Sequence, residues 1–145
     1  TPGISSAASD VYKRQTFSAA SRPTVTSFSS NTADGIYGIG TEINITATMS
    51  ENVLKDSTFD VTLNTGDVVT VTAAADGNTL VGIYNVAAGD ESVDLSVESY
   101  TTGNVTDLQG STMVSNVMPS GDIANASNIA IDTTAPTRNN LINWL

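Results

Sequence analysis

The chain has 145 residues, 39% of them hydrophobic, and carries 15 acidic against 5 basic side chains for a formal net charge of −10; this is enough for one domain with a substantial core. It contains no cysteine and no histidine, which excludes disulfides, thiolate metal sites and the commonest general base, so any metal must be held by oxygen. All the acids but Asp10 lie between Pro23 and Thr137, where Lys55 is the sole base, a balance that makes nucleic acid and anionic membrane surfaces poor partners.

The chain begins with Thr1 and shows no basic region followed by an apolar segment, and nowhere a run of about 20 apolar residues, so neither a signal peptide nor a membrane span is expected. It reads as a fragment of a longer protein, with anchor and export signals elsewhere. Residues 1–21 are expected to be disordered or artefactual: Asp10-Val11-Tyr12-Lys13-Arg14-Gln15 resembles the conceptual translation of a transposon end used to tag DNA for sequencing. The alternative is an ordinary Ser/Ala-rich linker, and both readings predict disorder.

From Pro23 onward, short stretches of period two alternate with Gly/Asp/Asn clusters and no helical period is sustained, an all-β pattern. Val25 to Ser29 is the first strand, followed by a turn-rich loop from Asn31 to Gly40. Ile43, Ile45, Ala47 and Met49 then alternate with polar residues, placing the apolar set on one face. Phe59, Val61 and Leu63 form the next inward row, ending at the turn Asn64-Thr65-Gly66-Asp67. Val69 and Val71 continue it. After Asp76-Gly77-Asn78, the residues Leu80, Gly82, Tyr84 and Val86 share one face; after the turn 87–92, Val93, Leu95 and Val97 form another inward row. The last strand is expected at Asn128 to Ile131. Seven or eight strands at this spacing predict a two-sheet β-sandwich with a core of small aliphatic residues.

Ile131-Asp132-Thr133-Thr134-Ala135-Pro136-Thr137 reads as a boundary tag, echoed weakly at Ser21-Arg22-Pro23-Thr24. The two prolines bracket roughly the 100 residues of one sandwich domain, so residues 22–137 read as one repeat of an array and 138–145 as linker or the truncated start of the next segment.

Taken in order, Ala33 to Gly40, Ile43 to Glu51 with Met49-Ser50-Glu51 at its end, Leu63-Asn64-Thr65-Gly66, Tyr84 to Asp90, Val105-Thr106-Asp107 and Ile131 to Thr137 resemble the bacterial immunoglobulin-like repeats of large secreted adhesins and cell-surface proteins. The resemblance implies an immunoglobulin-like Greek-key sandwich, an extracellular or cell-surface location, and a mechanical role as a spacer whose partners are neighbouring repeats of the same chain. Departures from the family are Glu42 in place of an aspartate, Ser111 where the Asp107-x-x-Gly110 turn usually ends in asparagine, and Ala19 at the place corresponding to Asp132.

In such a sandwich Glu51 and Asp107 are expected at the pole facing the preceding domain, and Asp34, Glu42, Asp90 and Asp132 at the opposite pole. Clustered carboxylates repel unless a cation neutralises them, and calcium takes six to eight oxygens at flexible geometry; the resemblance implies that calcium at such junctions stiffens the rod. The alternative reading is that these acids are solvated loop charges, with Asp34 shaping a turn and Asp132 ending the last strand.

Enzymatic readings lack parts: there is no activated nucleophile, no Gly-x-Ser-x-Gly elbow and no phosphate loop with lysine. The sole tryptophan, Trp144, lies outside the domain, which counts against a sugar cleft. Lys55 falls in a predicted loop, unsuited to an intramolecular isopeptide bond. Asn44, Asn104 and Asn125 fit glycosylation triplets at the rate expected by chance in so Asn/Ser/Thr-rich a chain. A second class of function, a recognition module binding glycan or a host receptor through exposed loops, predicts an exposed aromatic or apolar patch.

Overall fold

Alternation sets the longest strand. Among residues 22–135, which the computed structural model describes, Ile43, Ile45, Ala47 and Met49 are buried and the intervening residues are not, within a strand running Glu42–Val53. In chain order the strands are β1 Val25–Ser29, β2 Gly35–Tyr37, β3 Glu42–Val53, β4 Thr58–Leu63, β5 Val68–Thr72, β6 Gly77–Asn85, β7 Glu91–Ser92, β8 Val97–Tyr100 and β9 Ile129–Asp132, with a single-turn helix α1, Ile123–Ala126, before β9. The expectations for residues 1–21 and 136–145, including the transposon-end resemblance and the end of the boundary tag, lie outside the described residues.

The strands form a six-stranded sheet in the order β1-β3-β6-β5-β4-β8 and a three-stranded sheet in the order β2-β9-β7. The arrangement is all-β, as expected. Strands β4, β5 and β6 follow one another as neighbours and β3 lies beside β6, which is a Greek-key order. The described residues contain nine strands instead of seven or eight, because two short ones escape a pattern-based reading. β2 lies inside the stretch 31–40 expected to be loop; it is three residues long and pairs in parallel with β9, so neither length nor alternation announces it. β7 has two residues and pairs with β9 through Glu91 and Ser92.

Val93 corrects the expected inward row. It is 98% exposed, whereas Leu95 and Val97 are buried. A single strand through 93–97 would put all three on one face, but β7 and β8 belong to different sheets and the chain crosses between them here. Asn64 holds that crossing: its side-chain amide donates to Ser92 Oγ at 2.9 Å and to the Asp94 carbonyl at 3.1 Å, and its Oδ1 accepts from the Ser96 amide at 3.2 Å.

The six-stranded sheet curls until its two edges meet across the core. Phe28 of edge strand β1 packs on Tyr100 of the other edge strand, β8, with ring centroids 5.4 Å apart; Phe59 of β4 stands 5.4 Å from Tyr100 and 6.3 Å from Phe28. A register shift between Val25 and Ser27 lets both Val25 and Phe28 face inward from the short β1. The segment between β8 and β9 seals the seam. Gly121 accepts from the Phe28 amide at 3.1 Å, the Val117 carbonyl accepts from the Tyr100 hydroxyl at 2.7 Å, and Asp122 Oδ1 accepts from the Val97 amide at 3.0 Å. Asp122 also caps α1 in a reciprocal capping box with Asn125.

Gly82 marks a close approach between β5 and β6. A Cβ there would strike the Thr70 carbonyl and lie 2.8 Å from Val69 Cγ1, and β5 and β6 share only the Thr72–Val81 pair.

Phe28→Ala is expected to cost about 3–5 kcal/mol, because it opens the aromatic cluster at the closure of the sheet; urea unfolding monitored by near-UV absorption checks this. Gly82→Ala is expected to cost roughly 1–3 kcal/mol by overpacking. Gly40→Ala, at φ 88° with nothing within 4 Å, costs only the left-handed backbone penalty of about 1 kcal/mol. Equal losses for the two glycine variants in calorimetric scans would contradict the close approach at Gly82.

Candidate functional site

The strand ends define two poles. The described chain enters beside Ser50, where the Thr24 carbonyl accepts from the Ser50 amide at 2.8 Å, and Arg22 reaches the Thr112 carbonyl at 3.0 Å. It leaves beside Glu91, which pairs with Asp132 and accepts from Thr134 Oγ1 at 2.7 Å.

At the entry pole, Asp107 is only 1% exposed. It bridges to Val53, two residues beyond the half-buried Glu51. The turn 107–111 is shaped by its carboxylate, whose Oδ1 accepts from the Gln109 amide at 2.9 Å and the Ser111 amide at 2.8 Å, and it closes at Gly110 with φ 92°. Oδ2 of Asp107 is buried and has no hydrogen-bond partner among the described residues. A buried carboxylate oxygen left unmatched is costly, and a cation is one group that would match it.

At the exit pole Glu42, Asp90 and Asp132 sit at the same end of the sandwich. Glu42 pairs with Asn85, the Val86 carbonyl accepts from the Gly40 amide, and Thr133 Oγ1 donates to the Asp90 carbonyl at 3.0 Å. Asp34 does not join them. Its Oδ1 accepts from the Asn128 amide at 2.9 Å, clipping the start of the β2–β9 ladder, whereas Asp132 lies at that ladder's far end, four residues on along β9, roughly 13 Å away at about 3.3 Å per residue. The parallel pairing of the unforeseen β2 separates them. Among the described residues no three carboxylates converge closely enough to hold a metal ion.

Asp90 is engaged internally. It is 7% exposed, and its Oδ2 accepts from the Tyr84 hydroxyl at 2.6 Å and the Ala87 amide at 2.9 Å. Sequence reasoning missed its other partner, Asp67, which reads as an ordinary turn residue after Gly66; only the folding of the 64–67 turn onto the 87–90 turn brings the two together. The hydrogen bond to Asp90 raises the affinity of Asp67 for its proton, with burial and like charge adding to the effect. Burial opposes ionisation of Asp90, but hydrogen bonds from Asp67, Tyr84 and the Ala87 amide outweigh it and hold Asp90 below the usual carboxylate range. Burial first, then the bond to Asp90, keeps the Tyr84 phenol protonated far above its ordinary value.

Beside this acid pair lies a pocket of about 640 Å³ on the outer face of the three-stranded sheet, lined by Ile36, Glu91, Ser92, Val93, Ala130, Ile131, Asp132 and Thr134. Ile36 is 75% exposed. Hydrogen bonds from Thr134 Oγ1, then from Thr133 and the Thr134 backbone, favour the ionised form of the fully exposed Glu91. The sequence offered no signal for the pocket, since Val93 reads there as core. No protein-family model, curated protein or solved structure matches the chain.

The two acids pull stability in opposite directions with pH. Asp67 binds its proton more tightly folded than unfolded, so its contribution is full at acid pH and is lost as pH rises through its folded value. Asp90 contributes above the ordinary carboxylate value and loses that contribution as pH falls through its lowered one. Asp67→Asn supplies a permanent amide donor to Asp90, and is expected to raise the neutral-pH melting temperature by roughly 2–6 °C and to flatten its acid dependence, on the scale of about 1 kcal/mol for one hydrogen bond. A lower melting temperature at every pH would contradict the coupling of Asp67 to Asp90.

Proposed function

We propose that this domain is a structural spacer repeat of a multidomain extracellular bacterial surface protein or adhesin, stiffened by calcium at its junctions with neighbouring repeats. The observation that carries this reading is the position of Asp107: a buried carboxylate with one unmatched oxygen, close to where the chain enters the sandwich. Calcium is the cation that fits an all-oxygen donor set without histidine or cysteine. Asp107 is its anchor at the entry pole, near Glu51, with further oxygens supplied by the preceding repeat. At the exit pole Glu42 is exposed, while Asp132 Oδ1 accepts from the Thr134 amide and Asp90 is committed to Tyr84 and Asp67; Asp34, away from that pole, is engaged by Asn128. The placement of entry and exit at opposite poles suits a link in a rod.

The second reading is a recognition module for glycan or a host receptor, and the exposed Ile36 and Val93 beside the pocket favour it. A spacer uses that surface against its own kind; a recognition module uses it against a ligand.

Thermal unfolding with millimolar calcium, and again with a chelator, tests the spacer reading. Calcium at about ten times its dissociation constant stabilises the native state by roughly 1.4 kcal/mol, a rise of about 4–9 °C for a domain of this size. Asp107→Asn is expected to abolish the rise. An unchanged melting temperature together with no calorimetric heat of calcium binding in a tandem of two copies, where the junction is complete, would overturn the calcium-stiffened junction.

A further inference from the structure

Two features at opposite poles match one another. At the exit pole the pocket has apolar walls, Ile36 and Val93, and a rim carrying the Glu91 and Asp132 carboxylates. Val93 is almost wholly exposed and Ile36 largely so. The rim is fixed in place: Glu91 Oε1 accepts from the hydroxyls of Thr133 and Thr134, and Asp132 Oδ1 from the Thr134 amide at 3.0 Å. No lysine or arginine among the described residues lies near it.

At the entry pole the turn after β3 presents an exposed aliphatic residue, Leu54, beside the exposed Lys55. The turn is held on every side. The Leu54 amide donates to the Thr106 carbonyl at 2.8 Å, the Ser57 amide to the Leu54 carbonyl at 3.1 Å and the Asp56 amide to the Ala73 carbonyl at 2.8 Å. The Lys55 amide donates to Asp76 Oδ1 at 2.7 Å, so that carboxylate oxygen is occupied by backbone, and no ion pair engages the Lys55 ammonium among the described residues. Lys55 is the only lysine of residues 22–137. An aliphatic side chain next to a lysine, whose own stem is apolar and whose head is cationic, is the complement of an apolar pocket with a carboxylate rim.

We propose that the Leu54–Lys55 tip of one copy of this domain seats in the Ile36–Val93 pocket of a second copy, with the Lys55 ammonium between Glu91 and Asp132. The contact deepens the spacer reading and rests on it. Because tip and pocket are different surfaces at opposite poles, the association is heterologous and runs head to tail, so it extends as a chain unless the geometry closes a ring. The chain's own exit beside the pocket places a following copy's entry pole where its tip can reach.

Two exposed substitutions test this without touching the core. Lys55→Glu removes the tip and leaves the pocket; Val93→Lys blocks the pocket and leaves the tip. Sedimentation velocity of the chain at increasing concentration, in moderate salt, is expected to show growing head-to-tail oligomers for the unsubstituted protein and at least about tenfold weaker association for each variant alone. An equimolar mixture of the variants is expected to form a 1:1 dimer and nothing larger, since one intact tip meets one intact pocket. The variants move the net charge in opposite directions, so a loss common to both is not a net-charge effect. A strictly monomeric unsubstituted chain, undiminished association of either variant, or a mixture that does not pair would overturn the proposal. Calcium stabilisation through Asp107 is read separately in both variants, so failure of this contact is distinguishable from failure of the spacer reading.

Discussion

Closure of the six-stranded sheet upon itself is the constraint on which the rest of the molecule depends. A sheet with β1 at one edge and β8 at the other leaves two rows of unpaired backbone groups, and the Phe28–Phe59–Tyr100 cluster brings those edges face to face. The remaining gap is too wide for a direct ladder. It is filled by the segment from Val117 to Ile123, which takes the Phe28 amide on one side and the Val97 amide on the other. Edge protection and core closure are therefore one event. With so few aromatic residues in the chain, three of them are concentrated at this seam.

Once the large sheet is closed, the three-stranded sheet covers its open side and the connections between strands are forced to the two ends. The acids follow them. Buried and half-buried carboxylates take backbone amides or hydroxyls in place of a base: Asp122 from Val97 and Ile123, Asp90 from Ala87 and Tyr84. In a domain with Lys55 and Arg22 as its only described cations, this is the available means of burying negative charge. Asp107 is matched on one oxygen only, and Asp94 beside the crossing between the sheets likewise has a buried oxygen without a partner among the described residues; of the two, Asp107 is the fully buried one and lies at the entry pole. At the exit pole the same economy of bases sets Asp67 against Asp90, raising the proton affinity of the first and lowering that of the second, and leaves Glu91 and Asp132 at the rim of an apolar pocket.

The two poles thus differ in kind. The entry pole offers a rigid turn bearing Leu54 and Lys55 beside a buried, half-satisfied carboxylate; the exit pole offers an apolar concavity edged with charge.

The sequence by itself determined the all-β class, the long central strand and the inward rows of β3, β4, β5 and β6, because a period of two in Val, Ile and Leu specifies one buried face whatever the partner strand. It also placed Asp107 at a turn that closes at Gly110 and Asp132 at the end of the last strand, since an Asp side chain can bond the backbone two residues on and Gly accepts a left-handed turn position. Tertiary structure alone decided which strands belong to which sheet, and that assignment turned Val93 from an expected core residue into an exposed pocket wall. It created β2 and β7, which are too short to carry a pattern and exist only because β9 offers them backbone partners. It separated Asp34 from Asp132 and joined Asp67 to Asp90, because distances between loops are fixed by the register of the strands that carry them, and register between distant strands is not written in local alternation.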